Sequence, residues 1–340
     1  MKPLLGITMG DAAGIGPEII LKAFRKRHIS DICRPLVIGS GAVMKYYTTL
    51  LGMDVRFNLV SEPGHAVFDP GKLDVLDMGL VDPDTLQVGI VAPGTGHAAV
   101  VYTQEAGKMA MAGTIDAVVS APLNKESMRL AGYPYEGQTQ ILGELTGSRR
   151  YGMILILGEI RVMMLTTHIA LRKACDAVTK ERVLGMIELA DETLRAFGIE
   201  KPRIAVAGLN PHAGEGGLFG SEEQEGSIPA IESAQAKGID AVGPVPADSV
   251  FVKAKEGIYD LVLAMYHDQA NIAAKLLGFG EVVTLLAGIP IIRTSVGHGT
   301  AFDIAGKGIA DETNFVMAIE AAAKIVHKKK EALHGSHQRK

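Results

Sequence analysis

The sequence predicts an α/β fold with mostly parallel strands. Short aliphatic or β-branched runs alternate with longer amphipathic stretches along the whole chain, the pattern of strands joined by crossover helices. Hydrophobic residues make up 47% of the 340, which calls for a large buried core in two domains or in one large α/β unit. Three of the strand-like runs end in a small turn that contains a histidine, and parallel sheets carry their active sites at the carboxyl ends of strands.

Leu4 to Thr8 reads as the first strand. The turn after it, Gly10-Asp11-Ala12-Ala13-Gly14-Ile15-Gly16-Pro17-Glu18, leads into a helix whose first position suits Pro17, where a missing N–H costs nothing. The glycines are not spaced as G-x-G-x-x-G, and a proline stands where an N–H would grip pyrophosphate, so a Rossmann dinucleotide loop is excluded. The loop either faces an active cleft or simply makes a tight turn; both readings stand on sequence alone. Leu36 to Ile38 precedes an amphipathic stretch from Gly41 to Leu51, and Asp116 to Ser120 precedes another from Leu123 to Leu130. Arg161 to Leu165, Arg203 to Ala207 and Leu261 to Ala264 read as further buried strands, with helical stretches after Ser221 and from near Gln269.

No repeat, low-complexity segment or Ser/Pro-rich linker divides the chain. A domain boundary is therefore crossed by ordinary strands and helices, and the expected division is 1–135 plus 290–340 against 136–289. A net charge of -4 and 5% aromatic residues argue against a nucleic-acid surface, which needs a basic face and stacking platforms. Only Cys33 and Cys175 are present, too few for a disulfide framework. No charged leader with a cleavage site opens the sequence, and no apolar run reaches the roughly 20 residues that span a bilayer. The expectation is a cytoplasmic protein with a small ligand and no membrane partner. The basic end, from Lys328-Lys329-Lys330 to Lys340, reads as a frayed end of the last helix.

The histidines are His168 in Thr166-Thr167-His168-Ile169-Ala170-Leu171-Arg172, His212 in Asn210-Pro211-His212-Ala213-Gly214-Glu215, and His267 in Tyr266-His267-Asp268-Gln269. Neutral imidazole is the commonest side-chain metal ligand, and three of them would leave a coordination position open for substrate or water. Each alone reads more simply as a hydrogen-bonded loop residue, and it is the shared position of all three that favours a metal. Separations of 44 and 55 residues match no compact metal signature, so the fold must bring them together.

Two cations suggest an anionic substrate: Arg293, a bidentate fork, and Lys275, a point charge that could as well be a solvated surface lysine. With a helix starting near Gln269, Asn271 and Lys275 share one face. Asp248 in Pro246-Ala247-Asp248-Ser249 is a weaker candidate base, or a helix cap. Near the end, His298-Gly299-Thr300-Ala301-Phe302-Asp303 through Asp311 combines small residues that admit a flat ligand with acceptors for ribose hydroxyls or adenine N–H groups. This segment resembles the adenosine-binding motif of the isopropylmalate and isocitrate dehydrogenase fold, which binds NAD without a Rossmann domain. An Asn often stands in that fold where Asp311 stands here.

Six blocks in order resemble the 4-hydroxythreonine-4-phosphate dehydrogenase (PdxA) family along nearly the whole chain. They are Ile7-Thr8-Met9-Gly10-Asp11-x-Ala13-Gly14-Ile15-Gly16-Pro17-Glu18, Ala121-Pro122-Leu123-Asn124-Lys125, Thr167-His168-Ile169-Ala170-Leu171-Arg172, Asn210-Pro211-His212-Ala213-Gly214-Glu215, Met265-Tyr266-His267-Asp268-Gln269 and Ile292-Arg293-Thr294-Ser295. The resemblance is closer to the D-threonate/D-erythronate 4-phosphate dehydrogenase-like branch than to the pyridoxine-pathway enzyme. It implies an isopropylmalate dehydrogenase-like pair of α/β domains with a cleft between them. The first (1–135 plus 290–340) would lie on the cofactor side; the second (136–289) would bind metal and dimerise.

By the same resemblance, His168, His212 and His267 hold one divalent metal at the subunit interface of a homodimer, zinc first, then cobalt, manganese or magnesium. Gln138, Thr139, Lys275, Thr284 and Arg293 contact a small anionic substrate. Lys275 and, less strongly, Asp248 assist proton transfer. His298, Gly299, Thr300, Ala301, Asp303 and Asp311 receive NAD or NADP. The reaction is oxidation of the secondary alcohol of a 4-phosphorylated hydroxy acid, 4-phosphooxy-threonine or D-threonate/D-erythronate 4-phosphate, with decarboxylation of a 3-oxo acid product as an open second step.

The departures from the family concentrate at the substrate positions. The family usually has Gly-His-Thr-Glu where this chain has Gly137-Gln138-Thr139-Gln140, an Asn for Thr284, and Ser-x-Asp-His-Gly for Ser295-Val296-Gly297-His298-Gly299. Gln138 cannot carry the charge a histidine could, so anion recognition is expected to be rearranged. The alternatives are a cis-dihydrodiol dicarboxylate dehydrogenase of the same family, a phosphate acyltransferase-like enzyme, and a non-catalytic metabolite-binding protein.

Overall fold

In the computed structural model, which describes residues 2–278 and 280–337, the alternation resolves into twelve strands and twelve α-helices among the described residues. The strands are β1 (Leu4–Thr8), β2 (Arg34–Gly39), β3 (Arg56–Val60), β4 (Lys72–Asp77), β5 (Ala117–Ser120) and β6 (Gly152–Leu157). They continue with β7 (Ile160–Met164), β8 (Arg203–Ala207), β9 (Asp240–Val245), β10 (Leu261–Ala264), β11 (Val283–Ala287) and β12 (Arg293–Val296). The helices are α1 (Gly16–Phe24), α2 (Arg27–Ile32), α3 (Gly41–Leu50), α4 (Pro93–Met111), α5 (Lys125–Leu130) and α6 (Gln138–Leu145). After them come α7 (Leu171–Asp176), α8 (Lys180–Ala196), α9 (Ile228–Ala236), α10 (Ala247–Lys255), α11 (His267–Leu277) and α12 (Thr313–His337). Two compact units form, residues 1–149 with 289–327 and residues 150–288 with 328 onward.

In the first unit the strand order is β3-β4-β2-β1-β5-β12, parallel throughout. Its central strands are buried on both faces: Leu5, Ile7, Val37, Ile38, Val75, Val118 and Val119 are all in the core, as a sheet covered by helices on both sides requires. The long helix α4 packs on β1, β2, β5, α5 and α6. Its small residues allow close approach: a Cβ on Gly96 would meet the Ser127 backbone at 2.2 Å, and one on Gly107 would meet Leu145 at 2.4 Å. The helix that begins at Gln138 thus belongs to the first unit because it packs on α4.

The second unit runs β11-β6-β7-β10-β8-β9. β7, β10, β8 and β9 are parallel, while β6 pairs antiparallel with β7 and β11. The sheets are thus mostly parallel, as the alternation predicts, with β6 and β11 the antiparallel members. Its core joins Val162, Met164, Val262, Leu263 and Ala264 of the sheet with the apolar stripe Val183, Ile187, Ala190 and Leu194 of α8.

Local expectations are met with small shifts. β1, β8 and β10 have the expected limits, and Pro17 lies in the first turn of α1. Helix α11 begins at His267 rather than near Gln269, so this histidine stands in the helix's first turn. The basic stretch Lys328–Lys330 is part of α12, which continues to His337; residues 338–340 of the expected frayed end lie outside the described residues. Among the described residues no helix is long and apolar enough to cross a membrane. Cys33 and Cys175 are free.

Candidate active site

Strand order puts the three histidine turns on one edge of the second unit. β10 lies between β7 and β8, all three parallel, so His267, His168 and His212 each emerge where a neighbouring strand ends. The edge is laced by side chains from the same motifs. Thr166 Oγ1 donates to Met265 O (2.8 Å), tying the end of β7 to that of β10. Gln269 accepts from Met265 N (2.7 Å) and donates to Gly208 O (2.9 Å), tying β10 to β8. Thr166 and Gln269 were visible in the sequence as motif members; their roles appear only when the strands are side by side.

The rings of His168 and His267 lie 5.6 Å apart between centroids. That is a spacing two imidazoles can adopt when each reaches a shared ion through a bond of about 2.1 Å. Asp268 Oδ1 engages His267 Nδ1 at 2.8 Å, which would leave Nε2 to face an ion, the arrangement in which a carboxylate stands behind a metal-bound histidine. His212 instead faces Phe219, with centroids 6.3 Å apart. Among the described residues no group of three or more His, Cys, Asp or Glu side chains is assembled. One chain therefore offers a pair of the three expected histidines, and the donor chemistry of that pair suits a divalent ion such as zinc.

His212 sits on a backbone that is costly to hold. His212, Ala213, Gly214, Glu215 and Gly216 have consecutive φ values of 52, 56, 79, 44 and 67°, and three of these are non-glycine residues in the left-handed region. The loop is anchored by Glu223, which is 1% exposed. Its Oε1 accepts from Leu209 N (2.8 Å) and Asn210 N (2.7 Å), and its Oε2 accepts from Asn210 Nδ2 (2.8 Å). Glu222 takes a second bond from Asn210 Nδ2, and Gln224 donates to Gly216 O. Sequence reasoning passed over Glu223, because the polar run Ser221-Glu222-Glu223-Gln224-Glu225 reads as a solvated segment and nothing local marks its one buried carboxylate. Glu223→Ala strands two part-buried backbone donors and the Asn210 amide, so a loss of about 2–4 kcal/mol of stability is expected. Urea denaturation checks this, and an unchanged midpoint would refute the anchoring role.

In the first unit the notable group is Arg293, at the start of β12 and 5% exposed. Nε donates to Ser120 Oγ (3.1 Å) at the carboxyl end of β5, and Nη2 donates to Gln138 Oε1 (2.5 Å). Ser120 is itself fixed by Ser295 Oγ, which donates to Ser120 O (2.9 Å). No described carboxylate forms an ion pair with Arg293. Burial pushes its guanidinium down to about 10, so it remains a cation at neutral pH. A buried cation with neutral partners is an unmet demand for an anion. Thr139 follows Gln138 in α6 and is partly buried.

The first turn proves to be packed rather than open. Residues 11–18 are buried, and the glycines sit against backbone: a Cβ on Gly10 (φ +70°) would lie 2.2 Å from Pro122 O, and one on Gly16 2.3 Å from Met9 O. The turn supports the proposed cofactor segment, since Ile15 N donates to Thr300 O (3.0 Å). Buried Glu18 accepts from Ala310 N (2.9 Å), while Lys22 Nζ donates to Gly308 O and Ala310 O (2.9 and 2.6 Å). Within that segment His298, Gly299, Asp303 and Asp311 are exposed, Ala301 is partly buried and Thr300 is buried. Asp311 Oδ1 accepts from Thr313 N (2.8 Å) at the start of α12, and hydrogen bonding from the Thr313 side chain and then its backbone N–H holds the carboxyl below the usual range.

The remaining candidates lie in the second unit. Lys275 is exposed on α11, its Cα ~12 Å along the axis from that of His267 at 1.5 Å per residue. Thr284 is buried inside β11, opposite Leu155 of β6. Asp248 is exposed in the first turn of α10, where its charge suits the helix dipole.

Comparison with known proteins extends over nearly the whole chain. The family described as "Pyridoxal phosphate biosynthetic protein PdxA" matches residues 31–322. Over 326 residues the chain is 45% identical to the D-threonate 4-phosphate dehydrogenase of Pectobacterium atrosepticum, covering 96% of this chain and 100% of that protein. The solved structure of 4-hydroxythreonine-4-phosphate dehydrogenase from Klebsiella pneumoniae superposes with a TM-score of 0.90 at 42% identity, covering 96% of this chain and 100% of that one. A terephthalate 1,2-cis-dihydrodiol dehydrogenase from Burkholderia xenovorans LB400 superposes with a TM-score of 0.67 at 29% identity, covering 95% and 98%.

Proposed function

This chain belongs to the PdxA family and is a dehydrogenase acting on a CH–OH group, and we propose that it oxidises D-threonate 4-phosphate or a close 4-phosphorylated hydroxy acid with NAD or NADP. The observation that carries this reading is the buried Arg293, cationic, bonded to Ser120 and Gln138, and paired with no described carboxylate. Such a group is stabilised by an anionic substrate, and a guanidinium suits phosphate or carboxylate through two parallel hydrogen bonds. Full-length similarity to a D-threonate 4-phosphate dehydrogenase supports the choice of substrate.

His168, His212 and His267 are proposed to hold a divalent ion shared between the subunits of a homodimer. Exposed apolar residues flank all three, among them Leu218 at 72% and Leu276 at 83%, a surface that favours a partner over water. A bound ion would polarise the substrate hydroxyl and a nicotinamide would accept hydride. Arg293 anchors the anionic end, with Thr139 and Thr284 as further polar contacts. Lys275 Nζ is proposed to assist removal of the hydroxyl proton, with Asp248 as the weaker candidate. His298, Gly299, Thr300, Ala301, Asp303 and Asp311 are proposed to receive the adenosine half of the cofactor. Decarboxylation of a 3-oxo acid product and a cytoplasmic location belong to the same proposal.

The test is reduction of NAD and NADP with D-threonate 4-phosphate, D-erythronate 4-phosphate and 4-phosphooxy-L-threonine, with zinc, manganese or chelator, while released carbon dioxide is followed. Metal-dependent turnover of one phosphate ester is expected. A second reading, oxidation of a cis-dihydrodiol dicarboxylate, is favoured by the likeness to the terephthalate dihydrodiol dehydrogenase and by the indifference of an Arg fork between phosphate and carboxylate. Turnover of a dihydrodiol carboxylate alone would replace the first reading with the second.

A further inference from the structure

We propose that Gln138 does not contact the substrate but positions Arg293, filling the side edge of the guanidinium so that its end-on fork faces the anion; this rests on the reading of Arg293 as the group that receives that anion.

Gln138 is 7% exposed, and both atoms of its amide are engaged inside the protein. Nε2 donates to Ala121 O (2.9 Å), and Oε1 accepts from Arg293 Nη2 (2.5 Å). The first bond orients the second. With Nε2 committed to a carbonyl that can only accept, Oε1 must face the guanidinium; the flipped amide would set donor against donor and acceptor against acceptor. The backbone that delivers Gln138 is fixed as well, since α6 begins at this residue and packs on α4.

Arginine presents five N–H donors in a planar fork. Nε–H and one N–H of Nη2 lie along one edge; Ser120 Oγ accepts from Nε, and Gln138 Oε1, which accepts from Nη2, is assigned to the same edge. The end formed by Nη1 and Nη2 makes no other hydrogen bond among the described residues. It can offer two parallel hydrogen bonds to one oxyanion. Both occupants of the side edge are neutral, so they fix the orientation of the cation without cancelling its charge. A carboxylate at position 138 would fix it equally well and neutralise it.

A thermodynamic cycle separates positioning from direct contact. D-threonate 4-phosphate is titrated calorimetrically into the zinc-loaded protein without nicotinamide, so that binding is read without turnover. Four proteins are compared: the parent, Gln138→Ala, Arg293→Lys and the double variant. If Gln138 acts through Arg293, Gln138→Ala weakens binding by about tenfold in the parent background. On the Arg293→Lys background it changes affinity by less than about twofold, since a lysine has no fork to orient. Equal losses in both backgrounds would mean that Gln138 touches the substrate itself and would overturn the inference while leaving the anion reading intact. Failure of the parent to bind would overturn D-threonate 4-phosphate as the substrate and the inference with it, whereas an Arg293→Lys protein that binds like the parent would show that no fork is needed and would overturn the inference alone. Gln138→Met keeps side-chain volume without an amide, and it takes the place of the alanine variant if that one fails to fold. Gln138→Glu should also lose affinity while melting at a higher temperature; unchanged affinity in that variant would contradict the inference.

Discussion

Replacing Arg293 by alanine is expected to lower kcat/KM for D-threonate 4-phosphate by about 10³-fold, the scale of a buried, bidentate charge contact of about 4 kcal/mol. The same change is not expected to destabilise the fold in proportion. Arg293 is buried with Ser120 and Gln138 as its partners and no described carboxylate beside it, so the folded protein bears the desolvation of a cation without a counterion. Removing the cation relieves that cost, and Arg293→Met, which fills more of the volume, should melt at or above the parent temperature. Steady-state kinetics and thermal melting together check this prediction. A variant with parental kcat/KM would exclude Arg293 from substrate recognition. A fall in activity matched by a fall in melting temperature would make the residue a packing element.

The second large effect is expected at the histidine edge. If the proposed metal assignment holds, His212→Ala should lower turnover by about 10³-fold or more and reduce bound zinc to background while leaving the protein folded. His212 is exposed, so truncation there costs little packing, whereas Glu223→Ala should damage activity through a displaced loop and lower stability as well. The two variants are told apart by elemental analysis, sedimentation and urea denaturation. Full activity with His212→Ala would end the assignment of this histidine as a metal ligand.

Much of this was legible without coordinates because it depends on local pattern. Strands buried on both faces are short apolar runs, and the limits of β1, β8 and β10 follow from where those runs stop. Pro17 marks the start of α1, and each histidine turn directly follows a strand. The beginning of α11 was displaced by two residues because His267 and Asp268 are unremarkable helix formers; Tyr266, in extended conformation, ends the strand segment and opens the helix. The antiparallel β6 escaped notice because an apolar run says nothing about the direction of its neighbour.

The sequence by itself determined the α/β class, the strand-end positions of the three histidines and, through six ordered motifs, the family. Tertiary structure alone decided which groups meet. Placing β10 between β7 and β8 brings His168 beside His267 and leaves His212 against Phe219. Glu223 reaches back 13 residues to Asn210, and Gln138 reaches Arg293 across 155. The physical reason is the range of the forces involved. Hydrophobic periodicity and turn chemistry act over a few residues and are written in local order. A hydrogen bond or a buried charge acts over about 3 Å in space whatever the separation along the chain, so its partner is chosen only when the sheet has set its strand order.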